Sequence, residues 1–455
     1  MAHDLAAVAR SQLPIERRVL DSGTVVIRQA SPANAIIATK VFAPIGSSAE
    51  PADVAGLANM SVRLLSAGTG HRSEREISLA LEANGAHFSA DASKDASAVS
   101  LLSTRDWFSE DFEVLLDLLR DPVFPEKQLA RDRGVVRMMI REDDDSPFNF
   151  TYRLFRRWLF DKHSYGWSSL GLEETVERIT RDEVVRFSLW QRRPETLVVL
   201  VVGGDEESTL LDSVCEKIQQ MPAIRIDCEP SVPPVPTEPA RAGVYEEYRD
   251  GEAEWIISGT FGPPFTGADF IPFRVLDSVL GGSMDSRLFS ELRERRGLAY
   301  QVGSQYSAHL LCGVYALYAV STPTNRDEVL RVLRLECERL REEPVGDEEL
   351  QRAKQYLIGR HIMGMESNTG RAATLGTYEL SGLGAEAVFE YPERISSVDA
   401  AAVQRVAQRY LRDLVTMITT PRKPAATRVS SASAQDMESA VTYSQKGLEP
   451  AGATP

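Results

Sequence analysis

Residues 56–69 read GLANMSVRLLSAGT, the pattern of one amphipathic helix that stops at a glycine. Leu57, Met60, Leu64 and Leu65 recur at three-to-four spacing and predict its buried stripe, and Gly68 is a natural stop. The neighbouring face presents Asn59, Val62 and Arg63 at i, i+3 and i+4, the spacing at which a hydrolytic metal site sets ligand, general base and ligand. None of these three can do that work: Val62 takes no proton, and Arg63 puts a cation where a metal would lie. The six histidines, His3, His71, His87, His163, His309 and His361, never fall within four residues of one another, so no His-x-x-Glu-His motif or its inverse replaces the trio. His163 and Trp167, in DKHSYGWSSLG, fit structural packing better than chemistry. Gly281-Gly282-Ser283 lacks the Lys of a phosphate loop and follows a helix instead of a strand. In SELRERRGLAY, Arg293 and Tyr300 stand seven apart; taken alone they read as a solvated charged run followed by a strand residue.

The elements that must carry these residues belong to a chain of 455 residues, long enough for two or more domains. Apolar residues at 43% and charged residues at 26% place it among soluble globular proteins. A net charge of −15 argues against nucleic acid, favours solubility and would attract a basic peptide. No stretch reaches the apolar length of a membrane helix, and the start has no compact apolar core of a secretory signal and only a weak basic bias. Cys215, Cys228, Cys312 and Cys337 are scattered, as free thiols in a reducing compartment are. These features together predict a cytoplasmic protein.

A Pro-rich run, CEPSVPPVPTEPARAG at 228–243, cuts the chain into similar halves. Residues 177–202 and 393–418 align without a gap, an offset of 216, each a capped helix followed by a strand. SEREISLALEANG opens with a capping box from Ser73 to Glu76 and ends at Gly85. AHFSADASKDASAVSLLST predicts two strands around a Lys-Asp turn, followed by helices near 109–121 and 126–142. LAYQVGSQYS and GVYALYAVS repeat the strand pair, and 326–342 and 347–365 repeat the helices. The fold expected is α+β: two homologous domains, each an antiparallel sheet packed with helices. The divisions expected are an N-terminal extension 1–14, a first domain 15–227, a linker 228–243, a second domain 244–423 and a disordered tail 424–455.

The second half then becomes specific. VLDSVLGGSMDSRLFSELRERRGLAYQVGSQYS (275–307) resembles the C-terminal domain of the pitrilysin/insulinase family of zinc peptidases, in its mitochondrial-processing-peptidase branch. MESNTGRAATLGTYELSGLG (365–384) resembles the family's Glu-Ser-Asn…Arg-Ala…Tyr-Glu-Leu helix. The resemblance covers residues 15–422 and implies that the two domains form half of a clam-shell. In active members the opening stretch would read Gly-Leu-Ala-His-x-x-Glu-His, so it sets Asn59 at the first His, Val62 at the Glu and Arg63 at the second His. The family's third ligand, a Glu in a later helix, falls in GVVRMMIREDDDSP at Met138 or Met139. All these metal positions are degenerate. The Arg and Tyr that hold the substrate backbone and oxyanion in the family are matched by Arg293 and Tyr300. A cationic fork and a phenol donor are the types that task needs.

The resemblance therefore implies a non-catalytic, substrate-binding subunit of a heteromeric zinc peptidase. Arg293 and Tyr300 would serve a homologous partner that bears the zinc motif; this chain would bind no metal, and the substrate would be a peptide. Neither nucleic acid nor membrane insertion is expected. The alternative of another class is a non-enzymatic scaffold or peptide-binding protein of the same fold. A self-sufficient peptidase with an unrecognised metal site is disfavoured by the missing ligands.

Overall fold

The computed structural model describes residues 14–205, 209–226, 230–236, 239 and 242–421. The N-terminal extension up to residue 13, the tail from 424, Cys228 and parts of the linker lie outside the described residues.

The first half builds a six-stranded sheet from β1 (Ile15–Val19), β2 (Val25–Gln29), β3 (Ile36–Ala43), β4 (His87–Ala92), β5 (Ser97–Thr104) and β6 (Val198–Val202), in the order β1-β2-β6-β3-β5-β4. The second builds five strands, β7 (Gly243–Tyr248), β8 (Glu254–Gly262), β9 (Ala299–Ala308), β10 (Gly313–Ser321) and β11 (Val415–Thr420), in the order β7-β11-β8-β10-β9. Without β1 the two orders are the same, and Ser97 of β5 and Gly313 of β10 keep the 216-residue offset. The α+β expectation and the duplication hold. The sheets are mixed, however, and not purely antiparallel: β2 runs parallel to β6, and β7 to β11. Each of these pairs is joined through the whole of its half, and only so long a crossover can bring two strands parallel.

One face of each sheet is covered by helices of its own half. Phe112, Leu115, Leu119 and Val136 pack with Val41 and Val99 in the first; Leu276, Val332 and Leu357 pack with Ile256 and Leu317 in the second. The other faces are covered by exchange. The Pro147–Phe160 helix crosses β8 and β11, with Phe155, Leu159 and Phe160 against Ile257, Phe261 and Met417. The Asn368–Leu380 helix crosses β3 and β6, with Ala372, Leu375 and Tyr378 against Ile27, Phe42 and Leu200. Gly376 permits that second approach, because a Cβ there would stand 2.1 Å from Cε2 of Phe42. Gly376→Ala is therefore expected to cost about 1–3 kcal/mol through overpacking, read as a lower urea midpoint.

The expected helices form at 74–83, 108–120, 126–145, 326–342 and 347–364, the first with its Ser73–Glu76 capping box. The opening stretch divides: an α-helix over Leu57–Arg63 tightens into a 3₁₀ turn, Leu64–Ala67, before Gly68 at φ 144°. The four residues of its predicted stripe are all buried.

Candidate functional site

The Leu57–Arg63 helix is held at its start by a side chain well upstream. Gly56, at φ 101°, offers no cap of its own. The buried Glu50 carboxylate instead accepts the N–H of Gly56 at 2.9 Å and of Ala58 at 2.5 Å. At the other side, Gln191 donates to the Ala58 carbonyl at 3.0 Å and accepts from the Ser61 hydroxyl at 2.7 Å, pinning the helix to Arg181–Gln191. Beneath lies Lys94, buried in the Lys-Asp turn, which donates to the Ser164 carbonyl at 3.2 Å. Its neighbour Asp95 accepts from the Tyr165 hydroxyl and from the Leu310 N–H at 3.0 Å, joining the two halves. The sequence read this turn only as a hairpin tip, since Lys-Asp is ordinary turn chemistry and nothing local shows that the second half closes over it.

Burial pushes the Glu50 carboxyl up to about 7, and burial pulls the Lys94 ammonium down to about 7. Between the ordinary Glu range and pH 7 the folded chain holds a proton on Glu50 that the unfolded chain has lost, so stability falls as pH rises. Above pH 7 the unfolded chain holds the Lys94 proton that the folded one lacks, so stability rises again. Relative to the double variant Glu50→Gln/Lys94→Met, the unaltered chain should be least stable near pH 7, measured as urea midpoints across the range.

The remaining face of the helix carries Asn59, Val62 and Arg63. Asn59 is buried, and its Oδ1 has no hydrogen-bond partner. Val62 is 1% exposed within the first half's apolar core. Arg63 is half-buried, and its Nε is buried without a partner. The Glu126–Asp145 helix packs against this helix and its 3₁₀ extension, so the structure brings together the two elements on which the resemblance to the family would place its metal positions. On it Met138 is 67% exposed and Met139 is half-buried. A carboxamide, a guanidinium, an isopropyl group and thioethers do not make a zinc donor set. Among the described residues no group of three His, Cys, Asp or Glu side chains is placed to hold a metal. His163 does structural work: its Nδ1 accepts the Tyr165 N–H at 3.1 Å, and its Nε2 meets the Pro233 carbonyl at 2.9 Å.

Arg293 and Tyr300 lie in the second half. Phe289–Arg295 winds as a π-helix, and Tyr300, 67% exposed, stands near the start of β9, an edge strand. In the RERR run, Arg295 reaches Glu291 at 2.6 Å, and Arg296 reaches Glu291 at 3.3 Å and Glu328 at 2.8 Å. Arg293 is exposed and makes no hydrogen bond or ion pair among the described residues; its guanidinium lies 5.2 Å from the centroid of the Phe289 ring. The run is therefore not uniformly a solvated salt network: one arginine is left over. No hydrogen bond or ion pair among the described residues joins Arg293 or Tyr300 to the degenerate trio. The Gly281-Gly282 loop is a packing feature, since a Cβ on Gly281 would lie 2.7 Å from the Ser304 side chain.

The profile described as insulinase, peptidase family M16, matches residues 25–166, and that of the peptidase M16 inactive domain matches residues 178–357. The chain belongs to the M16 peptidase family. An uncharacterized zinc protease of Streptomyces coelicolor is 28% identical over 412 residues, covering 90% of this chain and 88% of that one. An uncharacterized zinc protease of Bacillus subtilis is 24% identical over 392 residues, covering 86% and 94%. The fold matches that of a protease from Helicobacter pylori at a TM-score of 0.82 and 21% identity, covering 90% of this chain and 100% of that one. It also matches a peptidase M16 inactive domain from Pseudomonas fluorescens at 0.82 and 20%, covering 90% and 98%. Among the described residues no helix is long and apolar enough to cross a membrane.

Proposed function

We propose that this M16 chain is the non-catalytic, substrate-binding subunit of a heteromeric zinc peptidase. The observation that carries the reading is a contrast between the halves. At the positions where the family sets its metal ligands and base stand Asn59, Val62, Arg63, Met138 and Met139, while Arg293 and Tyr300 are exposed and Arg293 is free of the carboxylates that engage its neighbours. In this reading the two chains complete a clam-shell around a peptide, and a homologous partner brings the zinc. Arg293 offers a cationic fork and Tyr300 a phenol O–H to the scissile carbonyl, and both act most strongly as that oxygen gains negative charge. The experiment is purification of the tagged chain from its native cells, with mass spectrometry and zinc analysis of what co-elutes. The expected result is a stoichiometric partner of similar size bearing His-x-x-Glu-His, with zinc tracking that partner alone. Recovery as a metal-free homodimer, or with unrelated structural proteins, would make the chain a scaffold.

A further inference from the structure

We propose that this chain binds a free acidic amino acid, glutamate or aspartate, in a cavity of the second half that lies apart from Arg293 and Tyr300. The cavity has a volume of about 300 Å³ and opens between the C-terminal half of the Arg326–Glu342 helix and the β7 edge of the sheet. β7 and β9 are the two opposite edges of that sheet, so the cavity is separated from the strand that carries Tyr300. The inference goes beyond the proposed function and does not rest on it. The helix supplies the first observation. It carries five arginines, and three are engaged: Arg326 with Glu246 and Glu254, Arg331 with Glu328, and Arg339 with Glu336. Arg334 and Arg341 make no side-chain hydrogen bond or ion pair among the described residues, and both line the cavity. Glu338 stands between them and lines it too. Its side chain is equally unengaged among the described residues, although the spacings of four and three would let it reach either arginine. In a chain of net charge −15, two uncompensated cations on one cavity wall form a local field that draws anions.

The order of the charges sets the ligand's chemistry. Along the helix face they read plus, minus, plus over about 10 Å of axis. The complement is carboxylate, ammonium, carboxylate, which an acidic amino acid supplies in one small molecule. Each guanidinium offers a planar N–H fork to a carboxylate, and the Glu338 carboxylate accepts from the ammonium. A phosphate or a plain dicarboxylate would leave Glu338 facing an anion. The rest of the cavity suits a short carbon chain. Cys337, Leu414 and Val244 give it apolar surface. Ser258 and Thr416 are buried and hydrogen-bonded to each other at 2.8 Å, a bond that uses one of their two hydroxyl hydrogens and leaves the other to donate. Gln404 and Gln408 donate to the Arg341 carbonyl at 3.2 and 3.0 Å, so the wall that carries Arg341 is held in place before any ligand arrives. The volume is that of a small-molecule site and leaves room for one amino acid.

The test is isothermal titration calorimetry of the full chain with L-glutamate, L-aspartate, L-glutamine and glutarate. At least one of the two acidic amino acids is expected to bind about tenfold tighter than L-glutamine, which lacks the second carboxylate, and than glutarate, which lacks the ammonium. Arg334→Met and Arg341→Met should each weaken that binding about tenfold, and Glu338→Gln should bring the acidic amino acid down to the level of glutarate. Arg334 and Glu338 are exposed, so their substitution should leave the unfolding midpoint of the ligand-free chain unchanged. No binding of either acidic amino acid at up to about 10 mM, glutamine or glutarate binding as tightly as they do, or binding that survives both arginine substitutions overturns the inference. The comparison of the four ligands on the unaltered chain decides the matter even if a variant folds poorly.

Discussion

In the proposed function, Arg293→Ala should lower kcat for peptide hydrolysis by the complex about 100–1,000-fold and leave this chain's unfolding midpoint where it is. The two halves of that expectation have separate grounds. Stability is untouched because the Arg293 side chain is exposed and supports no hydrogen bond or ion pair among the described residues; only its stacking on Phe289 is lost. The rate falls because a preorganised cation beside a developing oxyanion contributes most in the transition state, so kcat should move more than KM. Tyr300→Phe removes one O–H from a side chain that is 67% exposed, and it should reproduce the kcat effect in smaller measure without loss of stability. Arg295→Ala is the control. Its side chain is tied to Glu291 at 2.6 Å, and the substitution should leave turnover near that of the unaltered complex. If Arg293→Ala and Arg295→Ala behave alike, the retained pair has no part in hydrolysis.

The same contrast explains what the sequence made legible. Periodicity and capping are local, so strands such as Ser97–Thr104 and Gly313–Ser321, and the box at Ser73, lie where alternation and cap chemistry put them. The sequence alone shows that residues 59, 62 and 63 are not metal-ligand types, because ligation depends on residue type at short spacing. What escaped depends on chain segments meeting from afar. The exchange of the Pro147–Phe160 and Asn368–Leu380 helices leaves no local mark, since an apolar face reads the same whichever sheet it covers. Lys94 looks like an exposed turn residue until Ser164 and the Glu50 carboxylate close around it. The parallel β2–β6 and β7–β11 pairs escaped because strand direction is set by the crossover and not by the strand. The freedom of Arg293 escaped because RERR supplies three like-looking arginines, and only the fold decides which of them Glu291 and Glu328 engage.

Val62→Glu should cost this chain about 2–4 kcal/mol and confer no hydrolysis, although in the proposed reading it places a carboxyl where the family's general base would stand. Val62 is 1% exposed and packed in the core with Leu57, Leu65 and Phe112. A carboxyl placed there has no donor waiting and no metal to face, so it stays protonated in the folded state. The unfolded chain ionises it freely, and the deficit should therefore widen as pH rises above the ordinary Glu range, seen as a growing gap in urea midpoints between pH 5 and pH 8. Added zinc should narrow that gap at no pH, because Asn59, Arg63, Met138 and Met139 still offer it nothing. A variant that gained stability with zinc would mean that the helix still turns this face to a metal-sized opening. Absence of that response would mean that Val62 is held as core packing, so that a single carboxylate at this position builds no metal site. In the proposed function a homologous partner would supply that chemistry, and this chain would contribute Arg293 and Tyr300, both exposed.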